Sequence, residues 1–511
     1  MESITASPLR PAPVRRVLGV LAAVALALYA VMLIRNVSAC AGGADSSGYM
    51  NHARLLGLGR LHTPPRELPG LDAAHFSDFL YTPLGFVPKD GLLVPSYPVG
   101  MPLMIMAAHW LAGWTYAGDV VIVFHSLAAL VLLFALGRAL GLSERACLLA
   151  TGALAASPLF IAYSLQAMTD VPALAWTTAT ALTLWLARRR ERWAGAAGLV
   201  FGISVLVRPN NVLMLAPAVV VWWPEAWTGA ELKRWGRLIV SFGLGGLPTA
   251  AGFALHSHAA YGHWLTTGYG DASSLFQRAM VPLTLRHYAQ WMPVVFSAGV
   301  GLFLLLPLVR RSRGSLFLLT WGLAYLAFYV SYYHTHEAWW NLRFILPAAP
   351  AFILGAIWAA RELCRLAARW MPYPAAAWIL YGLAAAGVLR AELKWDRRFQ
   401  VLAVGHGEAN YPAVIAWLRQ HVPANSVLEV MQASGAAFYY SDFIALRWDQ
   451  MSARTFPEVT AAAAREGRAI YAPLFPFETE SALKERMPGQ WEPVAQLREV
   501  VIYRWAGAAP Q

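Results

Sequence analysis

The chain has 511 residues, of which 58% are hydrophobic and 13% are charged, and its formal net charge is +12. Soluble domains carry about 25% charged residues, so this composition excludes an ordinary soluble protein and predicts an integral membrane protein. The basic residues fall in short clusters between apolar segments, which is typical of cytoplasmic loops and argues against a nucleic-acid partner.

The first apolar segment follows a basic start, in the stretch LRPAPVRRVLGVLAAVALALYAVMLI. A basic start before an apolar core also occurs in signal peptides. This apolar segment is long for a signal peptide, however, and the following NVSACAGGAD offers only a weak cleavage site. We therefore expect a retained transmembrane helix whose N-terminus lies in the cytoplasm.

Apolar segments recur along most of the chain and predict about 11 to 12 transmembrane helices. The candidate spans are residues 17–35, 118–138, 146–164, 171–187, 194–208, 209–224, 237–256, 291–309, 315–333, 343–360 and 374–391. The short apolar segment 98–113 is better explained by a re-entrant or interfacial helix. Placing the Lys- and Arg-rich loops in the cytoplasm puts the loop 36–97 and the C-terminal tail on the other side of the membrane.

The composition changes after about residue 395, where long apolar segments end and polar residues increase. Strand-like stretches alternate there with helix-like stretches, which predicts a small α/β domain. The strand-like stretches are NSVLEVM, FIALRW, AIYAP and EVVIYRW. We therefore divide the chain into a transmembrane domain, 1–394, whose first external loop is 36–97, and an external α/β domain, 395–511.

Four charged residues are expected at span ends on the external side: Asp45, Asp170, Arg208 and Arg343. Each has a simple structural explanation, since Asp45 could be a turn residue, Asp170 a helix N-cap, and the arginines could contact lipid headgroups. Charges at the membrane are costly and tend to be functional, so the coincidence of two acids and two arginines favours a site. Neighbouring candidates for substrate binding are Tyr49, His52, Arg54 and Tyr97.

The stretch YYHTHEAWWN carries His334, His336 and Glu337, which could hold a divalent cation. The H-E-x-x-H spacing of zinc proteases is absent, because Trp340 stands where the second histidine would be needed. Anchoring at the membrane interface by the two tryptophans is the simpler explanation. No P-loop and no G-x-S-x-G motif is present, and we expect no cofactor, although a divalent metal remains possible.

The order of these motifs resembles the GT-C superfamily of integral membrane glycosyltransferases. The motifs are, in order, ADSSGYMNHARLL, YPVGMPL, ASPLFIAYSLQAMTDVPALAW, GISVLVRPNNVLMLAP and RFILPAAPAF, followed by the external tail. Within this superfamily the chain is similar to bacterial protein O-mannosyltransferases and aminoarabinose–lipid A transferases, over about residues 1–360.

The resemblance implies roles for individual residues. Asp45 matches the first-loop carboxylate that acts as base, and Asp170 matches a second external acid. Arg208 stands where the family often places a basic residue facing the donor phosphate, and Arg343 matches an R-[FY]-x-x-P segment late in the membrane domain. The departing phosphate is negatively charged, so both arginines are candidates for binding it. Many relatives have another acid directly after the first, but here Ser46 follows Asp45, which puts a paired-acid site and a metal at that point in doubt.

The implied function is inverting transfer of a hexosyl or pentosyl group from a polyprenyl-phosphate donor to a lipid, glycan or protein acceptor, at the periplasmic face of a bacterial inner membrane. One alternative is a transporter or flippase of lipid-linked sugars, which predicts repeats or broken helices with charges near the bilayer midplane. Another is a non-catalytic scaffold for envelope assembly, which has no need for acids and arginines around one cavity.

Overall fold

A computed structural model describes residues 12–271, 273–371 and 373–507. The outermost ends of both predicted domains, residues 1–11 and 508–511, lie outside the described residues. The α-helices are α1 Ala12–Asn36, α2 Ala44–Gly57, α3 Gly100–Ala139, α4 Glu144–Ala155, α5 Pro158–Tyr163, α6 Asp170–Arg189, α7 Trp193–Val207, α8 Leu215–Trp222, α9 Gly229–Tyr261, α10 Val281–Val295, α11 Leu306–Val309, α12 Arg313–Tyr329, α13 Ala349–Ala367, α14 Pro374–Phe399, α15 Val404–Glu408, α16 Asn410–His421, α17 Ser434–Tyr440, α18 Phe456–Arg465 and α19 Pro476–Glu480.

Five helices of the described chain are long and apolar enough to cross a membrane, and a pair bent by 107° raises the number to six if it forms one span. The five are Gly19–Asn36, Gly100–Ala139, Gly229–Tyr261, Trp339–Ala367 and Ala375–Phe399, and the bent pair is Arg278–Val295 with Val300–Val309. The chain is therefore a multi-pass membrane protein. The predicted 11 to 12 spans stay a prediction, because other candidates are short, such as α7 with 15 residues.

Helix breaks separate or divide some of the predicted apolar segments. The α3 segment is interrupted at Gly113, whose φ of +70° is a left-handed conformation that glycine adopts without strain. The predicted short helix 98–113 is thus separate from the span that follows it. The predicted span 146–164 is divided as well. Helix α4 ends at Ala155, and Ser157 then caps α5 by accepting a hydrogen bond from the Phe160 amide at 3.2 Å.

Helix α6 lies at the centre of the membrane part, in contact with α3, α7 and the 3₁₀ segment Trp339–Ala348. Its side chains Val171, Leu174 and Leu184 are fully buried. The Thr177 hydroxyl donates to the Pro347 carbonyl at 3.0 Å and joins α6 directly to that 3₁₀ segment. The N-terminus of α6 and residues 339–348 are therefore brought to the same end of the helical core.

The described residues form seven strands: β1 Phe86–Lys89, β2 Leu92–Pro95, β3 Val427–Glu429, β4 Ile444–Leu446, β5 Ile470–Leu474, β6 Gln490–Leu497 and β7 Val500–Gly507. The first two form a hairpin in the loop 36–97, and the rest form a sheet in the order β4-β3-β5-β7-β6. In this sheet β3 is parallel to β4 and β5, whereas β7 is antiparallel to β5 and β6.

The C-terminal sheet confirms the predicted α/β tail, and the four predicted strands correspond to β3, β4, β5 and β7. Strand β6 was not predicted, because this edge strand contains Pro493 and its side chains are largely exposed, which weakens the strand signal. The boundary at residue 395 stays a prediction.

The sheet-containing domain packs on the first loop. Leu68 and Leu80 of the loop are buried in a cluster with Trp448 and Phe456 of the tail. The Asn51 side chain of α2 donates to the Gly435 carbonyl at 2.9 Å, and an added Cβ at Gly435 would lie 2.0 Å from the Ser47 hydroxyl. The tail therefore lies directly against α2, the helix that carries Asp45.

Candidate active site

A cavity of about 540 Å³ opens where α2, the start of α6 and the 3₁₀ segment 339–348 meet. Its wall combines charged, amide and aromatic side chains from segments far apart in the chain. The lining residues are Asp45, Tyr49, Tyr97, Thr169, Asp170, Arg208, Pro209, Asn210, Thr267, Tyr269, Gly270, Leu275, Phe276, Phe328, Tyr329, Tyr332, His334, Glu337, Asn341, Arg343 and Phe344.

Asp45 lies in the first turn of α2, where the helix dipole favours a negative charge. Its Oδ1 accepts a hydrogen bond from the Tyr97 hydroxyl at 2.5 Å, and its Oδ2 accepts one from Arg343 Nη1 at 2.9 Å. Burial alone would raise the pKa of Asp45, but the Arg343 charge and the Tyr97 hydrogen bond outweigh burial and hold that pKa below its ordinary value. Asp45 is therefore a carboxylate at neutral pH.

Asp170 forms a second acid–arginine pair. It is the first residue of α6, and its Oδ1 accepts a hydrogen bond from Arg208 Nη1 at 2.7 Å. The Asp170 side chain is 2% exposed and that of Arg208 13%. The structure assigns the N-cap position of α6 to Thr169, so the predicted capping role of Asp170 is not what holds its carboxylate.

Aromatic side chains connect the two pairs. The guanidinium carbons of Arg343 and Arg208 lie 5.2 Å and 5.7 Å from the centre of the Phe344 ring. The Tyr49 hydroxyl, one turn after Asp45, lies 3.1 Å from Thr169 Oγ1, next to Asp170. The two carboxylates and the two guanidinium groups thus form a single cluster in the cavity wall.

Both arginines keep donors for a further anion. A guanidinium carries five N–H donors, and each acid takes one of the nitrogens. Arg343 Nε is buried and has no hydrogen-bond partner within the described residues. A phosphate group placed in the cavity could therefore be bound without breaking either acid–arginine pair.

A second polar group lies in the cavity wall at His334, Glu337 and Asn341. Glu337 Oε2 lies 2.9 Å from His334 Nδ1 and accepts a hydrogen bond from Asn341 Nδ2 at 3.2 Å. Within residues 12–271, 273–371 and 373–507, no three His, Cys, Asp or Glu side chains are grouped closely enough to hold a metal ion. That the site needs no cofactor stays a prediction.

Two of the predicted substrate-binding residues lie outside the cavity wall. Arg54 follows Asp45 by nine residues, about 180° around α2, and it donates to the Tyr439 carbonyl of the tail at 2.6 Å. His52 lies about 10 Å further along the helix, fully buried against His256 with 5.4 Å between ring centres. Burial and the neighbouring His256 lower the pKa of His52 to about 3, so the ring is neutral. Neither side chain supports the predicted contact with a substrate in this cavity.

Two further polar side chains at or near the site, Asn210 and Glu408, were not predicted from the sequence. The stretch LVRPNN places Asn210 beside Arg208, and its amide donates to the Tyr329 hydroxyl at 2.5 Å in the cavity wall. Glu408 of the tail accepts a hydrogen bond from the Ser46 hydroxyl at 2.7 Å, so a second carboxylate does approach the turn beside Asp45. No motif marks Glu408, which lies 362 residues from Ser46.

A family model described as dolichyl-phosphate-mannose-protein mannosyltransferase matches residues 120–254, which include Asp170 and Arg208. No curated protein sequence matches the chain. Among solved structures, the chain is similar to ArnT from Cupriavidus metallidurans, in the apo state and bound to undecaprenyl phosphate. The TM-scores are 0.58 and 0.57 at 15% identity, and the match covers 98% of this chain and 100% of ArnT.

A further similar structure is the oligosaccharyltransferase of Archaeoglobus fulgidus tethered to an acceptor peptide. It has a TM-score of 0.51 at 12% identity, over 94% of this chain and 74% of the other. The family match and the shared fold together confirm the predicted resemblance to the GT-C superfamily. At these identities the structural likeness establishes the fold, whereas the chemistry has to be argued from the cavity.

Proposed function

We propose that this chain, a multi-pass membrane protein of the GT-C superfamily, transfers a glycosyl group from a polyprenyl-phosphate donor to an acceptor nucleophile. The observation that carries the proposal is the arrangement of the two acid–arginine pairs, Asp45–Arg343 and Asp170–Arg208, in the wall of one cavity. Such a site offers both a proton acceptor and anion-binding groups, and glycosyl transfer from a lipid phosphate requires both.

The donor phosphate would be bound by the guanidinium groups of Arg208 and Arg343. The phosphate gains negative charge as the glycosidic bond breaks, and charge-assisted hydrogen bonds from arginine stabilise that charge. The ArnT structure bound to undecaprenyl phosphate supports a lipid phosphate as the donor class. The apolar side of the cavity, with Leu275, Phe276 and Phe328, is suited to the first part of a polyprenyl chain.

The acceptor would approach Asp45. As the acceptor oxygen forms a bond to the anomeric carbon, the bond from that carbon to the phosphate oxygen breaks, and the phosphate leaves with the electron pair. The acceptor proton passes to the Asp45 carboxylate, which acts as general base. One base without a protein nucleophile predicts a single displacement and inversion of the anomeric carbon. The Asp170–Arg208 pair would orient the sugar phosphate.

The compartment and the acceptor class are further parts of the proposal. We place the cavity at the periplasmic face of a bacterial inner membrane because the basic loops of the sequence are expected in the cytoplasm. The acceptor would be a lipid, a glycan or a protein. The oligosaccharyltransferase with a similar fold was crystallised with an acceptor peptide, which keeps a protein acceptor among the candidates.

A flippase of lipid-linked sugars is the second candidate, and one observation favours it. The pair Arg278–Val295 and Val300–Val309 is bent by 107°, and transporters use broken helices of this kind. The two functions differ in their products, because a flippase leaves the glycosidic bond intact. A scaffold is less well supported, since it has no need for acids and arginines around one cavity.

The test is a transfer assay with the full-length protein in vesicles. Synthetic hexosyl and pentosyl polyprenyl phosphates are supplied as donors together with an envelope extract, and mass spectrometry follows the released polyprenyl phosphate and the glycosylated acceptor. We expect release with the wild-type protein and none with Asp45→Asn. Movement of intact donor across the vesicle membrane without release would favour the flippase, and no release from any donor would contradict the proposal.

A further inference from the structure

The turn that carries Asp45 is held by contacts with the C-terminal tail. Glu408 ends α15, and its Oε2 accepts hydrogen bonds from the Ser46 hydroxyl at 2.7 Å and from the Gly43 amide at 3.4 Å. Both donors lie within three residues of Asp45. Glu408 is not among the residues that line the cavity, so it contacts the turn outside the proposed substrate site.

The fit between Glu408 and this turn depends on glycine. A Cβ built at Gly42 would lie only 2.0 Å from Glu408 Oε2, a distance that real Cβ atoms do not show. At Gly43, a Cβ would lie 3.2 Å from Gln432 Nε2, which is also in the tail. A side chain at position 42 would therefore displace the Glu408 carboxylate, whereas one at position 43 would require only a small shift of Gln432.

Two more contacts from the tail hold the same turn. The Tyr440 hydroxyl accepts a hydrogen bond from the Ala41 amide at 3.0 Å, and the Glu408 carbonyl accepts one from the Cys40 thiol at 3.5 Å. Residues 40–46, which we call the 40–46 turn, thus donate several hydrogen bonds to the tail along their length. A carboxylate at the N-terminus of α2 also interacts favourably with the helix dipole.

We propose that Glu408 is a positioning residue for Asp45, so that the C-terminal domain is part of the active site's framework. This inference rests on the proposed transferase function. Asp45 can meet both Arg343 and Tyr97 only if the 40–46 turn is held in place, and a displacement of about 1 Å at a reacting group costs about 100-fold in rate. Glu408 acts through the turn and touches no substrate.

The first test separates kcat from donor binding. In full-length protein in vesicles, Glu408→Ala is expected to lower kcat about tenfold or more, while the donor KM and the Kd for polyprenyl phosphate stay within about twofold of wild type. Glu408→Gln is expected to recover most of kcat, because its amide oxygen still accepts from Ser46. Unchanged kcat in Glu408→Ala, or a rise in KM alone, would overturn the inference.

The matched control is Glu458→Ala. Glu458 is also a tail carboxylate in contact with the first loop, through His75 at 2.9 Å, but it is remote from the 40–46 turn. We expect wild-type kcat from this variant. Gly42→Ala should reproduce the Glu408→Ala defect, and the two losses should not add in the double variant because they act on one contact. Additive losses would contradict the proposed contact.

A second measurement is independent of turnover. Hydrogen exchange of the amides in the 40–46 turn is expected to speed up in Glu408→Ala but not in Glu458→Ala, while exchange in β3, β4 and β5 is unchanged. Unchanged exchange in the turn would overturn the inference. If the wild-type protein releases polyprenyl phosphate from no donor, the proposed function fails, and the exchange measurement still decides whether Glu408 holds the turn.

Discussion

Arg343 Nη1 donates to Asp45 Oδ2 at 2.9 Å across a separation of 298 residues. The contact joins the helix that follows the first span to the 3₁₀ segment late in the membrane part, at the proposed point of proton transfer. The positive charge of Arg343 also explains why the half-buried Asp45 carboxylate remains ionised. The proposed base is thus positioned by the same cation that would bind the leaving phosphate.

Asp45→Asn should remove transfer and leave the fold intact. An asparagine keeps the shape of the side chain and can still accept from Tyr97, but it cannot take the acceptor proton, so we expect kcat to fall about 10²–10⁴-fold. The measurement is donor turnover by the purified variant, with Tm as the check on folding. Asp78→Asn, an exposed change in the same loop, is the control and should turn over like wild type.

Arg208→Ala should weaken both donor binding and stability. The substitution leaves the Asp170 carboxylate, 2% exposed, without its cation, and breaking a buried ion pair in this way costs about 3–5 kcal/mol. We therefore expect a lower Tm in detergent and a higher Kd for polyprenyl phosphate.

The double variant Asp170→Asn/Arg208→Gln separates these two effects. Removing both charges should restore much of the Tm, whereas the affinity for polyprenyl phosphate should stay low because the phosphate still lacks its cation. Recovery of both quantities would show that Arg208 serves the fold alone, and an unchanged Kd in Arg208→Ala would contradict its phosphate role.

Parts of this site were predictable from sequence and parts were not. The stretch ADSSGYM predicts Asp45 at a turn that enters a helix. Helical spacing alone also predicts that Arg54, nine residues later, lies on the opposite face of α2 from Asp45. The pairing of Asp45 with Arg343 and the approach of Glu408 depend on packing between distant segments, which no local pattern records. In the tail, short stretches rich in apolar residues indicated β3 and β5, which are buried throughout, but the largely exposed edge strand β6 has no such stretch.

Tyr97→Phe should move the acidic limb of the pH–rate profile upward. The Tyr97 hydrogen bond is one cause of the lowered pKa of Asp45, so its loss raises that pKa toward the ordinary value. The base is then protonated at a higher pH, and activity is lost earlier as the pH falls. Profiles of kcat/KM against pH for the wild type and for Tyr97→Phe measure the shift of the acidic limb. A shift to lower pH would contradict the assignment of that limb to Asp45.

Gly48→Ala should disturb the same contact by steric displacement. An added Cβ at Gly48 would lie 2.3 Å from Cε2 of the Tyr97 ring and 2.9 Å from the Gly85 Cα, so the ring or the hairpin has to move. Overpacking of this kind costs about 1–3 kcal/mol, which exceeds the gain of about 0.5–1 kcal/mol from replacing a helical glycine by alanine. We expect a lower Tm and an acidic limb shifted to higher pH, as in Tyr97→Phe, because the displaced hydroxyl no longer reaches Asp45.

The matched control is Gly152→Ala in α4, where an added Cβ has no atom within 4 Å. This variant should have a Tm at or above that of the wild type and an unchanged pH profile. A stable Gly48→Ala variant with a wild-type profile would show that Tyr97 does not hold Asp45 as the geometry requires.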